Sequence, residues 1–320
     1  MRRYRSMGDL PLCGPRRAIA IGAFDGVHRG HQEVIRRAVE IGRERGLQTM
    51  TLTFDPNPVA VLRPKLAPAV LTSGPLKAQL ISRLGPDELL VVPFNRAFSR
   101  ITATRFAEML ASAPLGADAV VVGTNFRYGH GGEGTADTLS QFGRAHGLLV
   151  EVPETICSPD EKPVSSTRVR RLIATGHVKE VADLLGRPHA VDGIVERGDG
   201  RGHGLGFPTA NVAMADGTAV PEQGVYAGRA GLVGTTSAAA INIGISPTFA
   251  GADGRGVRLE AFLLDHDGSD LYDQPIRIEF LKRLRREERF DSVDELVKQM
   301  HRDVEETRRI VAGEEHASAE

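Results

Sequence analysis

The chain has 320 residues, of which 41% are hydrophobic and 25% are charged, and its formal net charge is −1 at pH 7. This composition is ordinary for a globular protein, and the length suits two domains better than one. No run of about 18 apolar residues is present, which argues against a membrane span, and the near-zero net charge gives no reason to expect a nucleic acid partner.

In the first half of the chain, short apolar runs alternate with segments of helical periodicity. The predicted strands are 18–22, 47–54, 88–94, 118–123 and 147–153, and the predicted helices are 31–45, 74–85, 103–113 and 134–147. This alternation predicts an α/β domain with a parallel, doubly wound sheet covered by helices on both faces. Ligands bind beyond the carboxyl ends of such strands, so the loops at 22–31, 53–58 and 123–134 should face one crevice.

Near residue 187 the chain becomes rich in glycine and poor in helical patterns. Residues 1–186 hold 24 Lys+Arg and 18 Asp+Glu, whereas residues 187–320 hold 16 and 23, which predicts two modules with their boundary at 186. Short strands at 189–198, 224–233, 237–245, 257–265 and 276–284 predict an antiparallel barrel or sandwich. A helix is predicted over 292–313, with Ser292 as its N-cap and Gly313 as its end.

The stretch GAFDGVHRGH turns from the first predicted strand into the first predicted helix. Gly22, Gly26 and Gly30 permit a sharp turn and a close approach to a ligand, and the helix start offers N–H groups to a phosphate. His28 and His31 add donors that would stabilise charge as pyrophosphate leaves a triphosphate. The alternatives are a zinc pair, for which no third ligand stands nearby, and ordinary surface histidines.

Other polar and aromatic residues stand at predicted element ends of the first module. Ser-Ser-Thr-Arg at 165–168 opens a helix, where it would clamp an anion or simply cap the helix. Asn125 ends the fourth strand and would hold phosphate oxygens, while Asp25 would contact a ribose hydroxyl or fix the turn. Three aromatic rings would stack on a flat ligand or pack in the core, namely Phe54, Phe126 and Tyr128.

The second module contains a glycine-rich stretch, GDGRGHGLG at 198–206. Pro208 follows it and no helix opens there, which excludes a dinucleotide-binding fingerprint. The glycines beside Thr209 and Asn211 favour backbone N–H groups around phosphates and oxygen ligands for Mg²⁺ carried in with ATP, the alternative being a bare flexible loop. Glu260 lies between apolar residues of a predicted strand, where it would act as a general base or simply face solvent.

The motifs H-x-G-H at 28–31 and S-S-T-R-x-R at 165–170 resemble the nucleotidyltransferase superfamily. In the second module GFPTAN, P-x-x-G-V-Y-A-G, NIGISPTF, EAFLLD, DLY and FLKRLRREERFDS occur in this order and resemble the riboflavin kinase domain. Together they resemble the bifunctional riboflavin kinase/FMN adenylyltransferase family, also called FAD synthetases. The resemblance implies an α/β Rossmann-like nucleotidyltransferase domain at 1–186, followed at 187–320 by a six-stranded antiparallel β-barrel riboflavin kinase domain with a C-terminal helix.

The resemblance also implies two reactions and the residues that carry them. Riboflavin would be phosphorylated to FMN with ATP and Mg²⁺, and FMN would be adenylylated to FAD with a second ATP, so that flavins are substrates and products. The implied catalytic residues are Glu260, His28, His31 and Asn125. The implied ATP or phosphate contacts are Gly22, Phe24, Asp25, Gly30, Ser166, Thr167, Arg168, Gly198, Arg201, His203, Gly206, Thr209 and Asn211, the last two also as Mg²⁺ ligands. The implied flavin contacts are Phe54, Phe126, Tyr128, Arg285 and Phe290.

Two positions depart from the pattern of the family. Ala23 stands where asparagine is usual. His203 stands where arginine or lysine is usual, which would weaken phosphate binding by the kinase half and make it sensitive to pH. The alternatives are therefore a single-activity FMN adenylyltransferase or flavin-analogue paralogue with an impaired kinase domain, and a non-catalytic flavin-binding regulator.

The expected partners are riboflavin, FMN, FAD and ATP, without nucleic acid or membrane, and a homo-oligomer is left open. The basic N-terminal stretch has no apolar core after it and is not a secretory signal. Cys13 and Cys157 have no neighbours suited to binding a metal, and two free thiols suit a reducing compartment. We therefore expect a cytoplasmic enzyme.

Overall fold

A computed structural model describes residues 1–197, 207–245, 256–266 and 269–319 of the chain. The chain forms two compact units, Met1–Pro68 with Gly74–Ser166, and Ala69–Ser73 with Thr167–Glu320. The second unit therefore includes residues 69–73 and 167–186, which precede the predicted boundary. The predicted domain boundary at 186 stays a prediction.

The first unit is built on a six-stranded sheet in which every strand pairing is parallel. In chain order the strands of this unit are β1 (Arg2–Tyr4), β2 (Arg17–Ile21), β3 (Gln48–Asp55), β4 (Glu88–Pro93), β5 (Ala117–Val121), β6 (Arg127–Tyr128), β7 (Gly134–Thr135) and β8 (Leu149–Glu151). The helices are α1 (Arg29–Arg45), α2 (Pro58–Leu62), α3 (Gly74–Ser82), α4 (Ala103–Ala111) and α5 (Ala136–His146). The predicted parallel α/β architecture is confirmed. Strand β1 and the separate hairpin of β6 and β7 were not predicted.

The strand order across this sheet is β1-β4-β3-β2-β5-β8. The chain builds outward from β2 through β3 and β4, and then in the opposite direction through β5 and β8. Ligands of open parallel sheets bind beyond the carboxyl ends of the strands at such a reversal, which lies here between β2 and β5. The loops that follow β2, β3 and β5 leave the same edge of the sheet, as the sequence predicts.

Local sequence explains the central pair of elements, β2 and α1. All five residues of β2 are buried, as expected for a strand covered on both faces. Helix α1 buries a stripe of apolar residues that includes Val34, Ala38 and Ile41, and exposes its charged face. The helix ends at Gly46, whose φ of 65° lies in the left-handed region that glycine adopts without a steric penalty.

Over its described residues, the second unit contains a closed six-stranded barrel and three helices. In chain order these are α6 (Ser166–Ala174), α7 (Val178–Leu185), β9 (His189–Glu196), β10 (Ala210–Met214), β11 (Gly224–Leu232), β12 (Thr235–Ile245), β13 (Val257–Leu263), β14 (Pro275–Arg285) and α8 (Val293–Ala319). The barrel closes in the order β10-β13-β12-β11-β14-β9, with antiparallel pairing throughout. Of the two predicted alternatives, the barrel is therefore confirmed over the sandwich.

Residues 69–73 belong to this second unit through hydrogen bonds. Val70 forms a parallel bridge with Thr218. The hydroxyl of Ser73 donates to the carboxylate of Asp192 on β9 at 2.5 Å, and Arg277 on β14 donates to the same carboxylate at 2.6 Å. These contacts explain why a short segment from the first half of the sequence groups with the barrel.

Helix α8 begins as predicted and ends later. The Ser292 hydroxyl accepts the N–H of Glu295 at 3.2 Å, which confirms the N-cap. The prediction that Gly313 ends the helix is wrong, because the helix continues to Ala319. A glycine ends a helix by taking a positive φ, and Gly313 does not take one. In the described part of the chain, neither α8 nor any other helix is long and apolar enough to cross a membrane.

Candidate active sites

The first candidate site is the turn between β2 and α1, which has an unusual backbone. Phe24 and Val27 have φ values of 47° and 40°, and Gly26 has a φ of 87°. Positive φ is strained for residues with bulky side chains, and such strain persists only where the surroundings enforce it. Asp25 and His28 are both only 5% exposed, so the turn is packed into the protein.

Three side chains from other elements hold this turn in place. The Thr53 hydroxyl on β3 donates to the Ala23 carbonyl oxygen at 3.0 Å, and the Lys77 ammonium on α3 donates to the same oxygen at 3.2 Å. The Ser166 hydroxyl donates to the Asp25 carbonyl oxygen at 2.9 Å. Thr53 and Lys77 were not singled out from the sequence, because a lone threonine or lysine carries no pattern that marks it as functional.

The two histidines form a stacked pair at the start of α1. His28 is the N-cap residue, and its Nδ1 accepts the backbone N–H of His31 at 3.3 Å. The two rings stack with centroids 3.6 Å apart, and the Phe24 ring meets His31 edge-on at 5.4 Å. Because Nδ1 of His28 is an acceptor, its neutral ring carries the proton on Nε2, which is then a hydrogen-bond donor. Together with the positive end of the α1 dipole, this arrangement favours an anion.

Residues 165–168 divide between the two units. The predicted helix start is confirmed, since α6 begins at Ser166. Ser166 belongs to the first unit and its hydroxyl is engaged with the turn, whereas Thr167 and Arg168 belong to the second unit. Thr167 is exposed and Arg168 is half-buried. Their contacts with phosphate stay a prediction.

The loop after β5 borders a cavity of about 410 Å³. Asn125 is exposed in this loop, and Phe126 is half-buried beside it. The cavity is lined by Thr124, Asn125, Phe126, Arg127, Thr135, Ala136, Asp137 and Val152. Because β5 is the neighbour of β2 in a parallel sheet, this loop leaves the same sheet edge as the histidine turn.

Two further rings of the first unit that were predicted to contact flavin lie in its core. Phe54 is 9% exposed and packs edge-on against Phe94, with ring centroids 5.8 Å apart. Tyr128 is 8% exposed, and its ring lies 5.5 Å from that of Phe106. Both rings pack in the core, and Phe126, which packs against the same core, also lines the cavity. The flavin contacts of all three rings stay predictions.

The second candidate site lies on the outer face of the barrel. Glu260 on β13 is directly opposite Asn211 on β10 and Asn242 on β12, so the three side chains share one face. Leu259 and Ala261, on either side of Glu260, are buried in the barrel core. The alternation along β13 therefore turns the carboxylate outward, next to two amide side chains.

Arg258 joins this row, and it was not predicted from the sequence. Its Nη2 lies 2.8 Å from Oε1 of Glu260, and its Nε donates to Oδ1 of Asn211 at 3.1 Å. All three side chains are half-buried. The signal that would have found Arg258 is its spacing, because residues i and i+2 of a strand face the same side.

Several predicted contacts of the second unit are not described or have other partners. Gly198, Arg201, His203 and Gly206 lie outside the described residues. Thr209, just before β10, is half-buried. The Arg285 guanidinium donates to the buried carboxylate of Asp303 at 2.9 Å and lies 5.5 Å from the centre of the Phe290 ring. The predicted flavin contacts of Arg285 and Phe290 stay predictions.

No group of three or more His, Cys, Asp or Glu side chains suited to a metal ion occurs within the described ranges. The barrel site instead offers the side-chain oxygens of Thr209 and Asn211, the two predicted Mg²⁺ ligands. Such hard donors fit Mg²⁺ that arrives with a nucleotide, since this ion is commonly held by few protein ligands together with phosphates.

Two family models match the chain, FAD synthetase over residues 13–168 and riboflavin kinase over residues 185–311. The bifunctional riboflavin kinase/FMN adenylyltransferase of Listeria monocytogenes is 35% identical, over 92% of this chain and 93% of the relative. That of Escherichia coli strain K12 is 38% identical, over 89% of this chain and 90% of the relative. A crystal structure titled macrolide-efflux protein from Streptococcus pneumoniae is 30% identical with a TM-score of 0.83, covering 96% of this chain and 98% of that one.

An α/β nucleotide-transferring unit followed by a riboflavin kinase barrel defines a class of two-domain flavin transferases. The chain belongs to the family of bifunctional riboflavin kinase/FMN adenylyltransferases.

Proposed function

We propose that the two units carry out consecutive steps of flavin nucleotide synthesis. The barrel unit transfers the γ-phosphoryl group of ATP to the 5′-hydroxyl of riboflavin and forms FMN. The sheet unit joins FMN to the AMP part of a second ATP and releases pyrophosphate, which gives FAD. The matches to both families, each on its own part of the chain, support this assignment over a single-activity enzyme or a non-catalytic regulator.

In the kinase reaction, Glu260 is the general base. It takes the proton of the ribityl hydroxyl as the oxygen attacks the γ-phosphorus, and ADP leaves. Asn211 and Thr209 would hold Mg²⁺ with the ATP phosphates, and the bound ion would neutralise part of their charge. The observation that supports these roles is the placement of Glu260 opposite Asn211 on the open face of the barrel.

In the adenylyl transfer, a phosphate oxygen of FMN attacks the α-phosphorus of ATP, and the bond to the β-phosphate breaks. The Nε2 proton of His28, the His31 ring and the N–H groups of the first turn of α1 stabilise the charge that develops on the phosphates. Asn125 would hold phosphate oxygens, and Phe126 at the cavity would contact the flavin ring. The stacked histidines beside the reversal of strand order are the observation that carries this half of the proposal.

The test follows flavins by chromatography during incubation with riboflavin, ATP and Mg²⁺. We expect the wild type to form FMN and then FAD, and the double variant His28→Ala/His31→Ala to accumulate FMN. His146→Ala, which replaces an exposed histidine at the end of α5, serves as the matched control and should form FAD at the normal rate. Normal FAD formation by the double variant would contradict the assignment of the adenylyl-transfer site.

The proposal also covers the location of the enzyme. Cys13 and Cys157 are both free and exposed. Exposed free thiols persist in a reducing compartment, so we place the reactions in the cytoplasm.

A further inference from the structure

On the outer face of the barrel, the Arg258 guanidinium contacts residues that the proposed kinase reaction uses. One of them, Asn211, would bind Mg²⁺ in that reaction. Arg258 donates through Nε to Oδ1 of Asn211 at 3.1 Å, and its Nη2 lies 2.8 Å from Oε1 of Glu260. The guanidinium is a rigid, permanently charged fork, so a single side chain bridges an amide oxygen and a carboxylate. The described structure therefore contains a built link between the two residues of the kinase site.

The register of the barrel fixes this link in place. Asn211 is opposite Glu260 across the β10–β13 pair, and Arg258 lies two residues before Glu260 on the same face of β13. Gly244 is opposite Arg258 on β12, and the Glu287 carboxylate lies over that glycine. The three polar groups therefore adjoin one another on neighbouring strands rather than on loops.

The proposed function assigns the same oxygens to other partners. Oδ1 of Asn211 would coordinate Mg²⁺, and the Glu260 carboxylate would accept the proton of riboflavin. Two cations on one amide oxygen repel each other, so the Nε contact to Asn211 and the coordination of Mg²⁺ compete. The contact of Arg258 with Glu260 does not compete in this way, because the carboxylate has a second oxygen.

We propose that Arg258 is a positioning residue of the riboflavin kinase site. In the nucleotide-free barrel it occupies Asn211 and aligns Glu260, and binding of the magnesium nucleotide displaces it from Asn211 while it keeps its hold on Glu260. The inference rests on the proposed roles of Asn211 and Glu260 and adds a residue and an order of events to them.

The kinetic test uses Arg258→Met, which keeps most of the side-chain volume and removes the charge. The kinase rate is measured as the FMN and FAD together formed from riboflavin per unit time. The ATP concentration is fixed and free Mg²⁺ is increased. Loss of a competing charge-assisted hydrogen bond should lower the apparent KM for Mg²⁺ about five- to tenfold. Loss of alignment should lower kcat about tenfold or more. Arg258→Lys has a single ammonium that spans the two acceptors less well. Its KM for Mg²⁺ and its kcat should lie between those of the wild type and those of Arg258→Met.

Controls separate this role from a general loss of structure. Arg229→Met removes another arginine of the barrel, one paired with Glu279 at 3.9 Å, and should leave the KM for Mg²⁺ unchanged. FAD formation from supplied FMN should be normal in all three variants, because that reaction belongs to the other unit. An unchanged or raised KM for Mg²⁺ in Arg258→Met would overturn the proposal. Continued FMN synthesis by Glu260→Gln would instead overturn the proposed kinase site itself.

A structural test does not depend on turnover. In a crystal structure of the whole chain with Mg²⁺ and ADP at the barrel, Nε of Arg258 should lie beyond hydrogen-bond distance of Asn211 Oδ1 and Nη2 should remain on Glu260. Retention of the contact between Arg258 and Asn211 beside a bound magnesium nucleotide would contradict the displacement.

Discussion

At the level of single residues, Lys77 on α3 contacts the turn of the proposed adenylyl-transfer site. Burial lowers the pKa of its ammonium, while the carboxylates of Asp25 and Asp55 raise it. The ammonium nonetheless donates to the Ala23 carbonyl oxygen, at the start of the strained turn. This half-buried cation fixes the turn, and under the proposed function it also adds positive charge to the phosphate site.

We expect Lys77→Met to slow the conversion of FMN to FAD by about tenfold to a hundredfold, which corresponds to the loss of a hydrogen bond from a charged donor. Lys77→Arg should restore part of the rate, because it keeps the charge. Synthesis of FMN from riboflavin supplies the internal control and should be unaffected. Equal losses in both reactions would point to unfolding rather than to a role in the turn.

His189 on β9 gives the barrel a defined dependence on pH. Its ring is 1% exposed, its Nε2 donates to the Ala219 carbonyl oxygen at 2.8 Å, and burial lowers its pKa to about 4. The unfolded chain, with a histidine pKa of about 6.5, binds the proton more tightly, so stability is full above pH 6.5 and falls as the pH drops towards 4.

At pH 5 this single histidine should have removed about 2 kcal/mol of the stability present at pH 8. Urea unfolding at both pH values, on wild type and on His189→Gln, isolates the effect, because the glutamine amide keeps a donor and does not titrate. The variant should lose about 2 kcal/mol less than the wild type between the two pH values. Parallel losses in the two proteins would show that His189 is not the group responsible.

At the level of helices and strands, His28 has two roles that can be separated. Its Nδ1 caps α1 by accepting the N–H of His31. Under the proposed function, the rest of the ring contacts the phosphates. Asparagine is among the best N-cap residues, so His28→Asn should keep the cap and lose the imidazole. His28→Ala should lose both.

Both variants should therefore slow FAD formation by about a hundredfold to a thousandfold. Only His28→Ala should also lower the free energy of unfolding, by about 1 kcal/mol. Activity assays and urea unfolding on the same preparations provide the two measurements. Wild-type FAD formation by His28→Asn would mean that the imidazole acts as a cap alone.

The sequence predicted elements that carry strong patterns and missed those that depend on tertiary partners. The alternating apolar runs identified the other five strands of the sheet, since each is a short β-rich apolar segment. Strand β1 was missed because its sequence, RRY, is polar and pairs only at the edge beside β4. Gly313 was mistaken for a helix end, because the same residue continues a helix when its φ stays negative.

Sequence motifs predicted the position of site residues where those residues directly follow a predicted strand. The glycines and histidines of GAFDGVHRGH follow a predicted strand, so their position at the edge of the sheet could be predicted. The positions of Arg258 and Lys77 could not be predicted, because each contacts a partner that is distant in sequence. The partner is Asn211 for Arg258 and Ala23 for Lys77. Phe54 illustrates the opposite case, in which an aromatic ring at a strand end packs into the core.

At the level of the whole molecule, the proposed function assigns one reaction to each of the two units of the chain. The product of the barrel reaction, FMN, is the substrate of the sheet reaction, so a defect in either unit stops FAD synthesis from riboflavin. Each defect should leave the other half-reaction intact, since the proposed residues of the two reactions belong to different units, apart from Thr167 and Arg168 near the boundary.

The most direct measurement mixes two inactive chains. Glu260→Gln should not make FMN but should convert supplied FMN to FAD, and His28→Ala/His31→Ala should make FMN and stop there. Each chain alone, given riboflavin, ATP and Mg²⁺, should produce little FAD, whereas the mixture should produce FAD as free FMN passes from one chain to the other. If the mixture fails although each half-reaction is active when assayed separately, or if Glu260→Gln alone makes FAD from riboflavin, the two-site account is wrong.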